Sequence, residues 1–217
     1  MKLMKPRIKN IFDNLLKEYN ALQNIQAEII ESYEMMRECY SSGNKVLVCG
    51  NGGSASDSEH IVGELMKGFM LKRPLDEKQK NILAGRYSQI DGIADKLQGT
   101  LRAISLVSQT SLITALMNDV GVDMIFAQQV YGYLDKNDVL IALSTSGNAL
   151  NVVNAAKTAR ALDGKVLSIT GENGGELKKI SNTTLCLPSN ETYKIQEYTL
   201  PIYHALCAML EEEFFGC

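Results

Sequence analysis

The sequence has no block of basic residues, no apolar run of about 18 residues, no CxxC or CxxH pair, and only two histidines among 217 residues. Each shortage excludes something. The 22 basic and 25 acidic residues are interspersed, for a net charge of -3, so nothing is arranged to neutralise phosphates along a polymer and no nucleic-acid partner is expected. A small anion would have to be held by a local device. The missing membrane-length segment argues against a membrane partner, and the positively charged opening MKLMKPRIKN runs into a charged amphipathic stretch where a secretory signal would have an apolar core. Cys39, Cys49, Cys186, Cys207 and Cys217 are odd in number and lie mostly inside apolar runs. They predict reduced, buried thiols and a cytoplasmic location.

The 45% of hydrophobic residues supplies apolar material for one sizeable core, so residues 1–217 are expected to form a single domain. From Ile8 through Phe12, Leu15, Leu22 and Ile29 to Met36, apolar residues recur every three or four positions, predicting one long N-terminal helix. Lys45 to Cys49, Leu101 to Val107, Asp138 to Leu143, Lys165 to Thr170 and Thr183 to Leu187 are short apolar runs, each followed by a polar or glycine-bearing turn and a helical stretch. This alternation predicts an α/β fold with parallel βαβ units and helices on both faces. Ligands of such sheets bind beyond the carboxyl ends of the strands. Residues 72–99 break the rhythm: polar overall, they carry Leu75, Ile82, Leu83, Tyr87, Ile90, Ile93, Ala94 and Leu97 at spacings that suggest a helix or two after Pro74, a helical insertion.

Two turns carry the chemistry. Gly50-Asn51-Gly52-Gly53-Ser54-Ala55 follows the first strand and formally satisfies GxGxxA. A dinucleotide site also needs a second strand ending in an acid about 20 residues on, whereas residues 56–71 read as helix, so no nucleotide cofactor is expected. Ser144-Thr145-Ser146-Gly147-Asn148 follows another strand and opens another helix. One serine there is an ordinary helix cap, but three adjacent hydroxyls beside free N–H groups suit a phosphate monoester. His60 and Glu64, four apart, share a helix face, as do Gln196 and His204, eight apart, in the helical stretch Glu191 to Phe215. Lone histidines on helices are ordinarily core or surface residues, and His, Glu and Gln at these spacings are not by themselves a metal signature.

In order along the chain, GNGGSA at Gly50 to Ala55, HxxxE at His60 to Glu64, Asn118-Asp119-Val120-Gly121, STSGN at Ser144 to Asn148, and IQ followed by His204 resemble the phosphoheptose isomerases of the sugar-isomerase (SIS) domain superfamily. The resemblance spans nearly the whole chain outside 72–99. It implies a flavodoxin-like, Rossmann-like sheet of five parallel strands between helices and a homotetramer with active sites at subunit interfaces. The implied activity interconverts sedoheptulose 7-phosphate and D-glycero-D-manno-heptose 7-phosphate, on the way to surface-polysaccharide heptose. Ser144, Thr145 and Ser146 match the family's phosphate cradle; Asn51, Gly52, Gly53, Ser54, Asn118, Asp119 and Gln196 match its substrate contacts. His60, Glu64, Gln196 and His204 are similar to its zinc ligands, Glu64 and His204 also matching its acid/base pair. Metal and acid/base roles compete for these two; the expectation is Glu64 as base and His204 as acid.

The chain departs from the family in two places. Ala149 stands where STSGNS has its last serine, and the insertion adds Lys72, Arg73, Lys78, Lys80, Arg86 and Lys96. Both bear on which sugar is used, so another sugar phosphate remains an alternative. So do a non-catalytic partner of a replication initiator and a sugar-phosphate sensor, as the family's relatives include both kinds.

Overall fold

The computed structural model describes residues 4–87, 90 and 92–216. Helices α1 (Pro6–Glu18) and α2 (Gln26–Ser41) precede β1 (Val46–Cys49) and α3 (Gly53–Met66). Then come α4 (Glu77–Arg86), β2 (Ala103–Ser105), α5 (Thr110–Asp119), α6 (Ala127–Tyr133), β3 (Val139–Leu143) and α7 (Leu150–Ala161). The chain closes with β4 (Lys165–Thr170), α8 (Gly175–Ile180), β5 (Thr183–Cys186) and α9 (Thr192–Phe215). The five strands form one parallel sheet in the order β2-β1-β3-β4-β5. Growth of the sheet reverses direction between the neighbours β1 and β3, which opens a crevice at their carboxyl ends.

Alternate residues of each strand feed different cores, because successive side chains point to opposite faces. Val46, Val48, Val139, Ile141, Leu167 and Ile169 meet α1, α2, α3 and α9 on one face; Leu47, Cys49, Leu140, Ala142 and Val166 meet helices α5 to α8 on the other. Burial on both faces is why the strands read as continuous apolar runs. In α7, Ala155, Ala156 and Ala159 are fully buried, and their small side chains let this helix lie close to the sheet.

The single long opening helix is corrected to two helices joined by a 3-10 segment, Asn20–Ile25. A 3-10 turn keeps residues three apart on one face, so Leu22 and Ile25 stay buried and the apolar period runs on through the bend. The insertion is helical in part. Asp76 caps α4 with a reciprocal capping box to Gln79, yet no residue of α4 is buried. The second half of the expected insertion helix falls partly on 88, 89 and 91, outside the described residues; beyond them only Ala94 is buried. The excursion closes on itself, with Pro74 bridged antiparallel to Gln98 and the Gly99 N–H donating to the Arg73 carbonyl at 2.6 Å.

Cys39, Cys49 and Cys207 are buried as expected, and burial pushes the thiols of Cys39 and Cys49 up to about 12. Cys186 is half-buried, and Cys217 lies outside the described residues. Among the described residues no helix is long and apolar enough to cross a membrane.

Candidate active site

The two glycine-bearing turns lie side by side, because β1 and β3 are neighbours. Together they line a cavity of about 330 Å³ with Asn51, Gly52, Gly53 and Ser54 on one wall and Ser144, Thr145, Ser146 and Ala149 on the other. Two helices, α3 and α7, begin at its edge, so their positive dipole ends lie beside it. Among the described residues no hydrogen bond occupies the hydroxyl of Ser144 or Thr145; the Ser146 hydroxyl accepts from the Asn148 N–H at 3.1 Å. Asn51 and Asn151 exchange two amide hydrogen bonds of 2.9 Å across the crevice and tie the turns together.

Glycine is required at particular points of this wall. Gly147 has φ +67°, and a Cβ there would lie 2.1 Å from the Gly174 carbonyl oxygen. At Gly53 a Cβ would lie 2.4 Å from Gln196 Nε2, so its absence lets the Gln196 amide reach the cavity from α9.

Gln196 begins a register that runs along two parallel helices. Gly53 of α3 meets Gln196 of α9, His60 meets Tyr203, and the Glu64 charge is felt at Cys207. About two helical turns, roughly 10 Å, separate Gly53 from His60. There His60 Nε2 stands 3.2 Å from Glu64 Oε1, its Nδ1 is 2.9 Å from the Tyr203 hydroxyl, and its ring meets that of His204 edge-on at 5.0 Å. Burial lowers the His204 pKa from its usual value and His60 lowers it further, against the opposing pull of Glu64, so the imidazole is neutral at pH 7. Burial also raises the Asp57 carboxyl, and it raises the Tyr203 phenol together with the Asp57 charge.

The end of α3 is held by a buried ion pair. Arg73, enclosed on all sides, donates to the carbonyls of Glu64 (3.0 Å) and Leu65 (2.8 Å) and to Glu211 Oε1 (2.7 Å), with Phe215 under its guanidinium. Glu211 of α9 also accepts the N–H groups of Phe69, Met70 and Leu71. Burial would raise its carboxyl, but these backbone donors and Arg73 hold it below the usual range. The carbonyls capped by Arg73 belong to the turn that carries Glu64.

The site residues read from the sequence therefore fall into three groups. Asn51, Gly52, Gly53, Ser54, Ser144, Thr145, Ser146 and Gln196 share the cavity. His60, Glu64 and His204 gather farther along α3 and α9, with His204 on the wall of a separate cavity beside Ile11, Leu15, Met70 and Pro201. Asn118 and Asp119 lie at the exposed end of α5, hydrogen-bonded to each other and outside the cavity lining.

Among the described residues no three His, Cys, Asp or Glu side chains converge as a metal group. Glu64 Oε2 and His204 Nε2 are nevertheless buried with no hydrogen-bond partner, although the Lys67 ammonium stands 3.6 Å from the Glu64 oxygen; a closer cation could satisfy both atoms. The sequence reading missed Asn151, Thr192, Asp57 and Tyr203. Asn151 and Thr192 carry no spacing signal, but Asp57 and Tyr203 could have been found as polar side chains one turn from His60 and next to His204.

Two family models, both described as the SIS domain, match residues 98–210 and 12–105. The chain is 31% identical over 213 residues to the phosphoheptose isomerase of Akkermansia muciniphila, covering 98% of this chain and 100% of that protein. It is 36% identical over 207 residues to that of Aliarcobacter butzleri, covering 92% and 96%. The solved phosphoheptose isomerase of Neisseria gonorrhoeae superposes with a TM-score of 0.72 at 29% identity, covering 95% of this chain and 97% of that one.

Proposed function

We propose that this chain, which belongs to the phosphoheptose isomerase family of SIS-domain proteins, interconverts sedoheptulose 7-phosphate and D-glycero-D-manno-heptose 7-phosphate through an enediol. The observation that carries the reading is the register of α3 on α9, which separates a hydroxyl-lined anion cavity from a Glu64, His60 and His204 cluster by about two turns of helix. A sugar whose phosphate and reacting carbons lie at opposite ends of a long chain fits that separation.

In this reading Ser144, Thr145, Ser146 and the helix N-termini hold the phosphate, with Asn51, Gly52, Gly53, Ser54 and Gln196 along the sugar. Glu64 takes the proton from C1 of the ketose, and the electron pair left behind forms the C1–C2 double bond of the enediol. His204, neutral, gives its proton to O2 and takes one from O1, and Glu64 returns its proton to C2, so the aldose forms with no net change in protons. Glu64 and His204, with His60 beside them, would suit a zinc ion that polarises the substrate carbonyl when bound, while Gln196, the fourth residue of the proposed set, lies about two turns away in the cavity and would have to swing toward it.

A homotetramer with interfacial sites is part of the proposal. Leu112, Met117, Val120 and Val122 expose apolar surface on and after α5, with Asn118 and Asp119 among them, and exposed apolar surface of this kind supports a subunit contact in which these two residues complete a neighbour's site. The buried thiols suit a reducing cytoplasm.

The test is incubation with sedoheptulose 7-phosphate in deuterated water, with and without zinc. Aldose carrying deuterium is expected from the wild type. Glu64→Gln should still bind the sugar phosphate but lose turnover by about 10²-fold or more. Bound sugar with no exchange in either protein would overturn the isomerase in favour of a binding or sensing protein.

A further inference from the structure

Tyr203 buries a hydroxyl in a stretch of α9 whose neighbours, Ile202, Leu206 and Cys207, are core residues, and only 2% of it is exposed. A hydroxyl in such a place is costly unless it is partnered. Its partners are His60 Nδ1 at 2.9 Å and Asp57 Oδ1 at 3.4 Å, both on α3. The His60 side chain, by contrast, is 45% exposed, and Glu64 Oε1 is the polar partner of its other ring nitrogen. Edge-on contacts to Tyr203 at 5.5 Å and His204 at 5.0 Å, with Tyr203 and His204 themselves 4.9 Å apart, complete a three-ring cluster around it.

The hydrogen-bond roles follow from what each group can do. An ionised carboxylate only accepts, so facing Glu64 Oε1 at 3.2 Å a neutral His60 donates through Nε2–H. Its Nδ1 must then accept, and the Tyr203 hydroxyl donates to it. If Nε2 is instead needed as a lone pair, the proton moves to Nδ1 and the same hydroxyl accepts it while donating to Asp57. Tyrosine can play both parts; phenylalanine can play neither.

We propose that Tyr203, backed by Asp57, is the positioning residue that holds the His60 ring with Nε2 turned toward Glu64, where the carboxylate keeps the proton on that nitrogen. Its bearing on turnover rests on the isomerase reading, while the hydrogen-bond roles stand without any substrate.

The chain's two histidines make the test tractable. Nitrogen NMR of the metal-free protein gives two imidazole sets, assigned with His204→Gln. Wild-type His60 is expected in a single Nε2–H form. Tyr203→Phe should shift it to a mixture of forms at unchanged melting temperature, and Tyr40→Phe, which removes another buried phenol, should leave it as it was. Zinc affinity, read by competition with a chromogenic chelator, should fall about tenfold or more in Tyr203→Phe and Asp57→Asn. Identical His60 signals in wild type and Tyr203→Phe would overturn the proposal, whether or not zinc binds. So would a zinc affinity that is measurable and unchanged in both variants. A tautomer change in Tyr203→Phe with no isomerase turnover in the wild type would uphold this inference and sink the isomerase.

Discussion

Ala149 is the N-cap of α7 and a wall of the anion cavity, and it serves neither place with a side-chain oxygen. A serine there would supply a cap worth about 1 kcal/mol and a donor facing the bound anion. A hydrogen bond to a charged group is worth about 1.5 to 3 kcal/mol, so Ala149→Ser should tighten the binding of a sugar phosphate by at least about tenfold. Calorimetry checks the affinity and thermal melting checks the cap. A raised melting temperature with unchanged affinity would mean that the phosphate sits away from this corner.

Among elements, the join between α3 and α9 bears the most. Breaking a buried pair strands a charge, so Arg73→Met should cost about 3 to 5 kcal/mol in urea unfolding. Because Arg73 also caps the carbonyl of Glu64, catalytic turnover should drop more than phosphate affinity in whatever fraction folds. The same join shows where the sequence was legible. Strands buried on both faces announce themselves as apolar runs, and the hydroxyls of Ser144 to Ser146 stand out because a cap needs only one. The helices bearing His60 and His204 were readable from their period, but their mutual register depends on Gly53 admitting Gln196, a contact 143 residues away that no local pattern encodes. The bend at Asn20–Ile25 was hidden for the opposite reason: the apolar spacing that marks a helix also survives a 3-10 turn.

For the whole molecule, acid is the informative stress. Asp138, fully buried at the amino end of β3, opposite the anion cavity, accepts from the Lys45 N–H and side chain, the Asp135 N–H and Asn44. Burial alone would raise its carboxyl, but these donors hold it below the ordinary 3.8. Its contribution is therefore present above pH 3.8 and is lost as the pH falls through the lower folded value. His204, held neutral by burial, contributes fully above its ordinary 6.5 and loses that contribution as the pH falls from 6.5 through its lowered folded value. Urea midpoints should fall in two steps on acidification. His204→Gln should remove the upper step; Asp138→Asn should start less stable at pH 7 and show a smaller lower step, the remainder belonging to Glu211, whose carboxyl is also held down.

The excursion 72–99 departs and returns at one neck, where Gly99 meets Arg73 and Pro74 meets Gln98. A stretch whose two ends already touch can lengthen, shorten or change its chemistry over a lineage's history without asking any strand to shift. It can vary fast while the crevice between β1 and β3 varies slowly, and related chains should diverge there in length before they diverge in chemistry.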